Sequence, residues 1–81
     1  MDKWTKKARR LGQAIRKQRK ALRLTQVQLA QLAGCGLAFL YQLEKGKPSV
    51  RLDKLLDVLE VLGLQLRLES GREVLVVDMS P

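Results

Sequence analysis

The chain has no histidine and one cysteine, and these shortages remove most of the chemistry that side chains supply on their own. No residues stand at metal-ligand spacing, no glycine loop is of the phosphate-cradling kind, and the carboxylates are scattered along helix faces and turns. The expectation is a protein that is not an enzyme and needs neither metal nor cofactor. A single cysteine cannot close an internal disulfide, so Cys35 reads as a small apolar residue in a reducing cytoplasm rather than as a reactive thiol. Long apolar runs are also missing. Nothing approaches the length of a membrane span, and the N-terminus lacks the uninterrupted apolar region of a signal peptide. A cytoplasmic location is expected.

Negative charge is the next shortage. Sixteen Lys or Arg stand against eight Asp or Glu, for a formal charge of +8, and the excess is segregated. Residues 1–23 hold ten basic residues against Asp2 alone, net +9, whereas residues 24–81 hold six against seven, net −1. The N-terminal segment therefore faces a polyanion. Nucleic acid fits best, and a membrane surface competes less well because the basic segment has no broad apolar face. At 81 residues, 46% hydrophobic and 30% charged, the chain makes one small domain that would gain from pairing with a second copy.

What is present is concentrated between Thr25 and Gly46, TQVQLAQLAGCGLAFLYQLEKG. Thr25 suits an N-cap, because its hydroxyl can accept from an orphan amide of the first turn, and the apolar run Val27, Leu29, Ala30, Leu32 and Ala33 follows. Gly34, Cys35 and Gly36 supply a tight bend, since glycine takes positive φ without penalty. The second helix runs from Leu37 to Lys45, with Leu40 and Leu43 inward and Ala38, Tyr41 and Gln42 on the opposite side. Two short helices joined in this way form a helix-turn-helix.

Before it, Trp4, Ala8, Leu11, Ile15 and Leu22 fit one helical stripe, so the first helix either begins near Thr5 and runs to Leu22, with Gly12 a weak point, or begins at Leu11. Both readings leave Arg16, Lys17 and Lys20 exposed. Trp4 is expected to pack on that stripe rather than to stack on a base. After it, Pro48 breaks the chain and Ser49 can cap a fourth helix, with Asp53 in its first turns and Leu52, Leu55, Leu56, Leu59 and Leu62 as its buried face, ended by Gly63. Asp53, Asp57 and Glu60 share an exposed face of that helix, an acidic surface that either solvates the protein or meets a partner. The period then changes to two. Leu64, Leu66 and Leu68 alternate with Gln65, Arg67 and Glu69, and a second apolar run follows a Ser70–Gly71 centre, which would oppose Leu66 to Leu75 and Leu64 to Val77, with Glu69 beside Arg72. A lone hairpin is marginal, so pairing with the same strand of a second copy across a two-fold axis is expected.

The pattern LTQxxLAxxAG, a small turn, and an apolar helix closing on LEKGK resembles the phage-repressor type of helix-turn-helix shared by Cro, the lambdoid repressors and the HipB-like antitoxins, over roughly residues 11–68. The resemblance implies a mainly α, lambda-repressor-like bundle of four to five helices, with a C-terminal β-strand or hairpin forming an intermolecular sheet in a dimer. Residues 1–10 would be a basic arm or helix extension, 11–63 the DNA-binding domain and 64–81 the dimerisation element. It also implies that Arg19 and Glu44 form a buried pair tying the first helix to the third. Leu37, Ala38, Tyr41 and Gln42 would touch bases, and Gln26, Lys45, Lys47, Ser49 and Arg51 would position the backbone. Leu64, Leu66 and Leu68 would bury at the dimer dyad. The implied function is a sequence-specific homodimeric repressor of double-stranded operator DNA. The strand-forming tail points further, to the antitoxin of a HipA-like serine/threonine kinase that autoregulates its operon. The alternative is a free-standing or phage-type transcriptional regulator with no toxin partner.

Overall fold

The computed structural model describes residues 3–68 and the backbone of 75–79; the expected Ser70–Gly71 turn centre and the Glu69–Arg72 juxtaposition lie outside the described residues. Four helices come first, α1 (Lys3–Ala21), α2 (Gln26–Ala33), α3 (Leu37–Lys45) and α4 (Leu52–Leu62), followed by strands β1 (Leu64–Leu68) and β2 (Leu75–Met79). The helices converge on one core: Ile15 from α1, Leu29, Ala30 and Ala33 from α2, Leu40 and Leu43 from α3, and Leu55, Val58, Leu59 and Leu62 from α4, closed by Leu64 of β1.

Local chemistry sets the boundaries. Thr25 and Gln28 make a reciprocal capping box at the start of α2: the Gln28 amide donates to Thr25 Oγ1 at 3.0 Å, and the Thr25 amide donates to Gln28 Oε1 at 2.8 Å. Gly34 ends α2 in the left-handed conformation at φ +66, and Gly46 ends α3 at φ +90. Gly36, by contrast, sits at φ −73 and ψ 150, extended backbone that any residue can adopt, so only one glycine of the turn is there for its positive φ. Helix α1 has no glycine stop: Arg23 itself takes the left-handed position at φ 58. The chain is then fastened from two sides. Gln18 Nε2 donates to the Leu62 carbonyl at 3.0 Å, and Lys54 Nζ to the Gly34 carbonyl at 3.0 Å.

Helix α1 begins at Lys3, earlier than either expected start. Gly12 is not its weak point but its closest approach to α3. A Cβ there would lie 2.5 Å from the Leu43 carbonyl oxygen and 2.6 Å from that of Glu44, so the absent side chain is what lets the two backbones meet. Helix α1 passes the end of α3 at Arg9, which lies against Gly46. Trp4, expected to pack on the stripe, is 59% exposed, with Lys7 Nζ 5.8 Å from its ring centroid. Leu22 falls in the turn after α1 and is exposed, as are Val27 and Leu32 on the outer side of α2.

Two expectations for α4 are corrected. Ser49 does not cap it: Arg51 is the N-cap residue, with no side-chain cap bond, because Val50 reaches back to pack against the core and delays the first turn. The buried stripe is Leu55, Val58, Leu59 and Leu62, while Leu52 and Leu56 are exposed. Leucines at 52 and 56 fit a helical face as well as Val58 does, and the packing of α1 and α2 on α4 decides between the two. In the hairpin, Leu64 opposes Met79, Leu66 opposes Val77 and Leu68 opposes Leu75. That register is two residues away from the one a two-residue turn would impose. An even shift keeps the alternation of faces, which the periodicity fixes, and changes only the loop length, which it does not.

Candidate nucleic-acid interface

Helix α3 divides cleanly. Leu40, Leu43 and Glu44 are buried, Phe39 is half-buried, and Leu37, Ala38, Tyr41, Gln42 and Lys45 are exposed on one arc. The arc follows from 100° per residue, and the apolar pair Leu40 and Leu43 turns it outward. Nine residues make a rod about 13 Å long, on the scale of a major groove about 12 Å wide.

The arc is flanked by two shallow clefts. On one flank Ala38, Phe39 and Gln42 of α3 meet Lys47, Ser49, Val50 and Arg51 of the segment leading to α4. This brings five of the expected contact residues together, with Phe39 and Val50 as an apolar floor that pattern reading missed. On the other flank Gln26, Tyr41 and Lys45 gather with Arg16, Arg19 and Glu44. Leu37 lines neither cleft and stands exposed at the N-terminal end of the helix. Lys45 leans over Tyr41, its Nζ 3.2 Å from the hydroxyl and 5.1 Å from the ring centroid, which holds one cation on the outward face.

Behind that face lies an ion pair. Arg19 Nε donates to Glu44 Oε2 at 2.8 Å and Arg19 Nη2 to Oε1 at 3.0 Å, a bidentate pair with both residues buried. The remaining valences are used. Arg19 Nη1 donates to the Leu24 carbonyl at 2.9 Å, and Gln26 Nε2 reaches Glu44 Oε1 at 3.3 Å. The Arg19–Glu44 pair thus joins α1, the loop before α2, the first residue of α2 and the end of α3, which fixes the angle at which α3 is presented. Gln26 is drawn inward by this bond, so the part it can offer to a phosphate is its backbone.

Electrostatics separates the loop residues. Lys47 and Ser49 are exposed, whereas Arg51 donates to Asp53 from Nη2 at 2.7 Å and from Nε at 3.2 Å. The Arg51 hydrogen bonds, helped by the Lys54 backbone amide, hold the Asp53 carboxyl below the usual carboxylate range. Lys54 Nζ lies 3.7 Å from Asp57, so two of the three carboxylates on the acidic face of α4 have a cation at hand. At the helix-turn-helix bend, burial pushes the Cys35 thiol above its ordinary pKa, although Lys54 opposes the shift. Among the described residues no group of His, Cys, Asp or Glu could hold a metal ion, and no helix is long and apolar enough to cross a membrane.

Two comparisons bear on this geometry. Residues 15–68, from the middle of α1 to the end of β1, match the helix-turn-helix family. The chain is also 43% identical over 56 residues to an uncharacterized HTH-type transcriptional regulator, y4mF, of Sinorhizobium fredii, an alignment covering 69% of this chain and 74% of the relative.

Proposed function

As the chain belongs to the helix-turn-helix family, we propose that it is a sequence-specific transcriptional repressor that binds double-stranded operator DNA as a homodimer. Family membership places it among DNA-binding regulators and not among enzymes. The observation that carries the finer reading is the exposed arc of α3, with Ala38, Tyr41 and Gln42 outward and a cation-bearing cleft on either side. In this reading Gln42 reads an adenine through N6 and N7, and Leu37 and Ala38 meet thymine methyl groups. Lys45, Lys47, Ser49, Arg51 and the backbone at Gln26 hold phosphates. Arg51 exchanges Asp53 for a phosphate on binding. The dimer forms through β1, whose outer edge has no strand beside it among the described residues, and whose Leu68 is 79% exposed. Two copies then present two α3 helices to successive major grooves of a palindrome. Selection of bound duplexes from a random pool tests this. A palindromic consensus with adenines, bound more weakly as salt rises, is expected; recovery of no preferred sequence defeats it.

Within that role we assign the chain as antitoxin to a HipA-like serine/threonine kinase. What supports this is its resemblance to the HipB-like antitoxins in motif and in the strand that follows the helices. The acidic face of α4 weighs less, since Asp53 and Asp57 are already matched by Arg51 and Lys54. Co-expression with the adjacent reading frame and a tagged pull-down decides between this and a free-standing regulator: a co-purified kinase supports the antitoxin. A neighbour that neither co-purifies nor harms cells alone leaves the repressor without a toxin.

A further inference from the structure

The ten basic residues before Leu24 are more than half of the chain's cations, and the contact set proposed above uses none of them. Nine of them lie on α1, and their placement there is not uniform. Arg9, Gln13, Arg16 and Lys20 recur at i, i+4, i+7 and i+11, the spacing of one helical stripe, and all four are exposed. This stripe adjoins Gly12, the point where α1 touches the α3 backbone. A second exposed stripe, Lys6, Arg10 and Lys17, lies about 70° further round the helix from the first, away from Gly12.

The first stripe borders the recognition helix at two places. Arg16 lines the cleft that holds Tyr41 and Lys45. Arg9 lies against Gly46, where a Cβ would come within 2.7 Å of its Cγ, so its stem is set beside the junction that carries Lys47. Arg9 and Arg16 are therefore each matched with a cation from the α3 end, about 10 Å apart along α1 at about 1.5 Å rise per residue. The acid that could neutralise the Arg16 cleft is Glu44, and it is consumed by Arg19. No ion pair holds Arg9, Arg16 or Lys20 to a carboxylate among the described residues.

We propose that the Arg9–Arg16 stripe of α1 is a second, sequence-independent phosphate clamp beside the recognition helix, one that widens the DNA footprint beyond the helix-turn-helix unit. It rests on the reading that α3 enters a major groove. The clamp takes backbone phosphates of the strand bordering that groove, with Arg16 and Lys45 sharing one and Arg9 and Lys47 another. The second stripe supplies long-range attraction and no contact to DNA.

The test compares charge removals on one helix. Arg9→Gln, Arg16→Gln and Lys17→Gln each delete one cation from the full-length chain and keep part of the stem, and thermal unfolding checks that all three fold. Binding to a mixed-sequence duplex and to a selected operator is measured across salt. Arg9→Gln and Arg16→Gln should each lower the slope of log affinity against log salt by about 0.9, by the same amount on both duplexes, while Lys17→Gln leaves it nearly unchanged. Equal reductions from all three would mean that net charge alone acts, and the clamp is overturned. So is it if the α1 variants change nothing while Lys47→Ala still lowers the slope. Failure of the parent chain to bind any duplex would instead remove the DNA reading itself, an outcome distinct from the others.

Discussion

At the scale of single residues, the Arg19–Glu44 pair does most to hold the presented helix, and its energetics are asymmetric. Both charges have left water, and what offsets that is their mutual bidentate geometry plus the Leu24 carbonyl and the Gln26 amide. Removing one partner strands the other, so Arg19→Met should lower unfolding free energy by about 3–5 kcal/mol in urea titration. Replacing Glu44 as well, with leucine, should restore much of the loss; a double variant no more stable than the single would show that the pair is not the cause. Gly12 supports a prediction of unusual sign. Alanine normally stabilises a helix interior by about 1 kcal/mol over glycine, yet here its Cβ would press on two carbonyl oxygens of α3. Gly12→Ala should destabilise by about 1–3 kcal/mol and tilt α3, seen as a lowered urea midpoint. Gln42 belongs to the proposed base readout instead. Being exposed, it can be truncated without harm to the fold, and Gln42→Ala should weaken operator binding by about 1–3 kcal/mol at one base position. An equal loss on random duplex would argue that it touches no base.

At the scale of elements, what the sequence made legible is what short-range chemistry determines. The α2 cap, the αL stops at Gly34 and Gly63, and the inward Leu40 and Leu43 of α3 each depend on residues within a turn of one another. The reading failed where tertiary packing chooses between equivalent local answers. Leucine-rich α4 offers two overlapping apolar stripes, and Trp4, on the apolar stripe of α1, is left 59% exposed. Among the interface residues, polar side chains on α3 could be picked from spacing, but the cleft floor at Phe39 and Val50 could not, because it forms only when the loop before α4 folds back. Gly36 shows the same division. Its dihedrals suit any residue, a Cβ there meets nothing within 4 Å, and α3 lacks a side-chain cap. Gly36→Ser should therefore raise stability by about 0.5–1 kcal/mol, by bonding an orphan amide and restricting the unfolded chain. A lower melting temperature in calorimetry would mean that the turn needs the glycine after all.

At the scale of the molecule, burial falls away along β1 and defines where a second copy can act. Leu64 is 8% exposed and belongs to the chain's own core, Leu66 is half-buried against that core, and Leu68 is 79% exposed. The three leucines share a face by alternation, yet they differ in what they can report. A charge at Leu64 would disrupt the monomer whatever the assembly. A charge at Leu68 changes nothing the single chain buries, so it isolates the proposed dyad. If β1 pairs with its copy, Leu68→Glu sets two like charges near a two-fold axis in an apolar sheet, where neither has a partner. The helices should remain folded by circular dichroism, and light scattering should give the monomer mass. Operator affinity should then fall by two orders of magnitude or more, because each half-site must be bound independently and the gain from linking two recognition helices is about 10²–10⁴. A variant that keeps the dimer mass would place the interface on another surface. The exposed Leu52 and Leu56 of α4 are then the next apolar residues to charge.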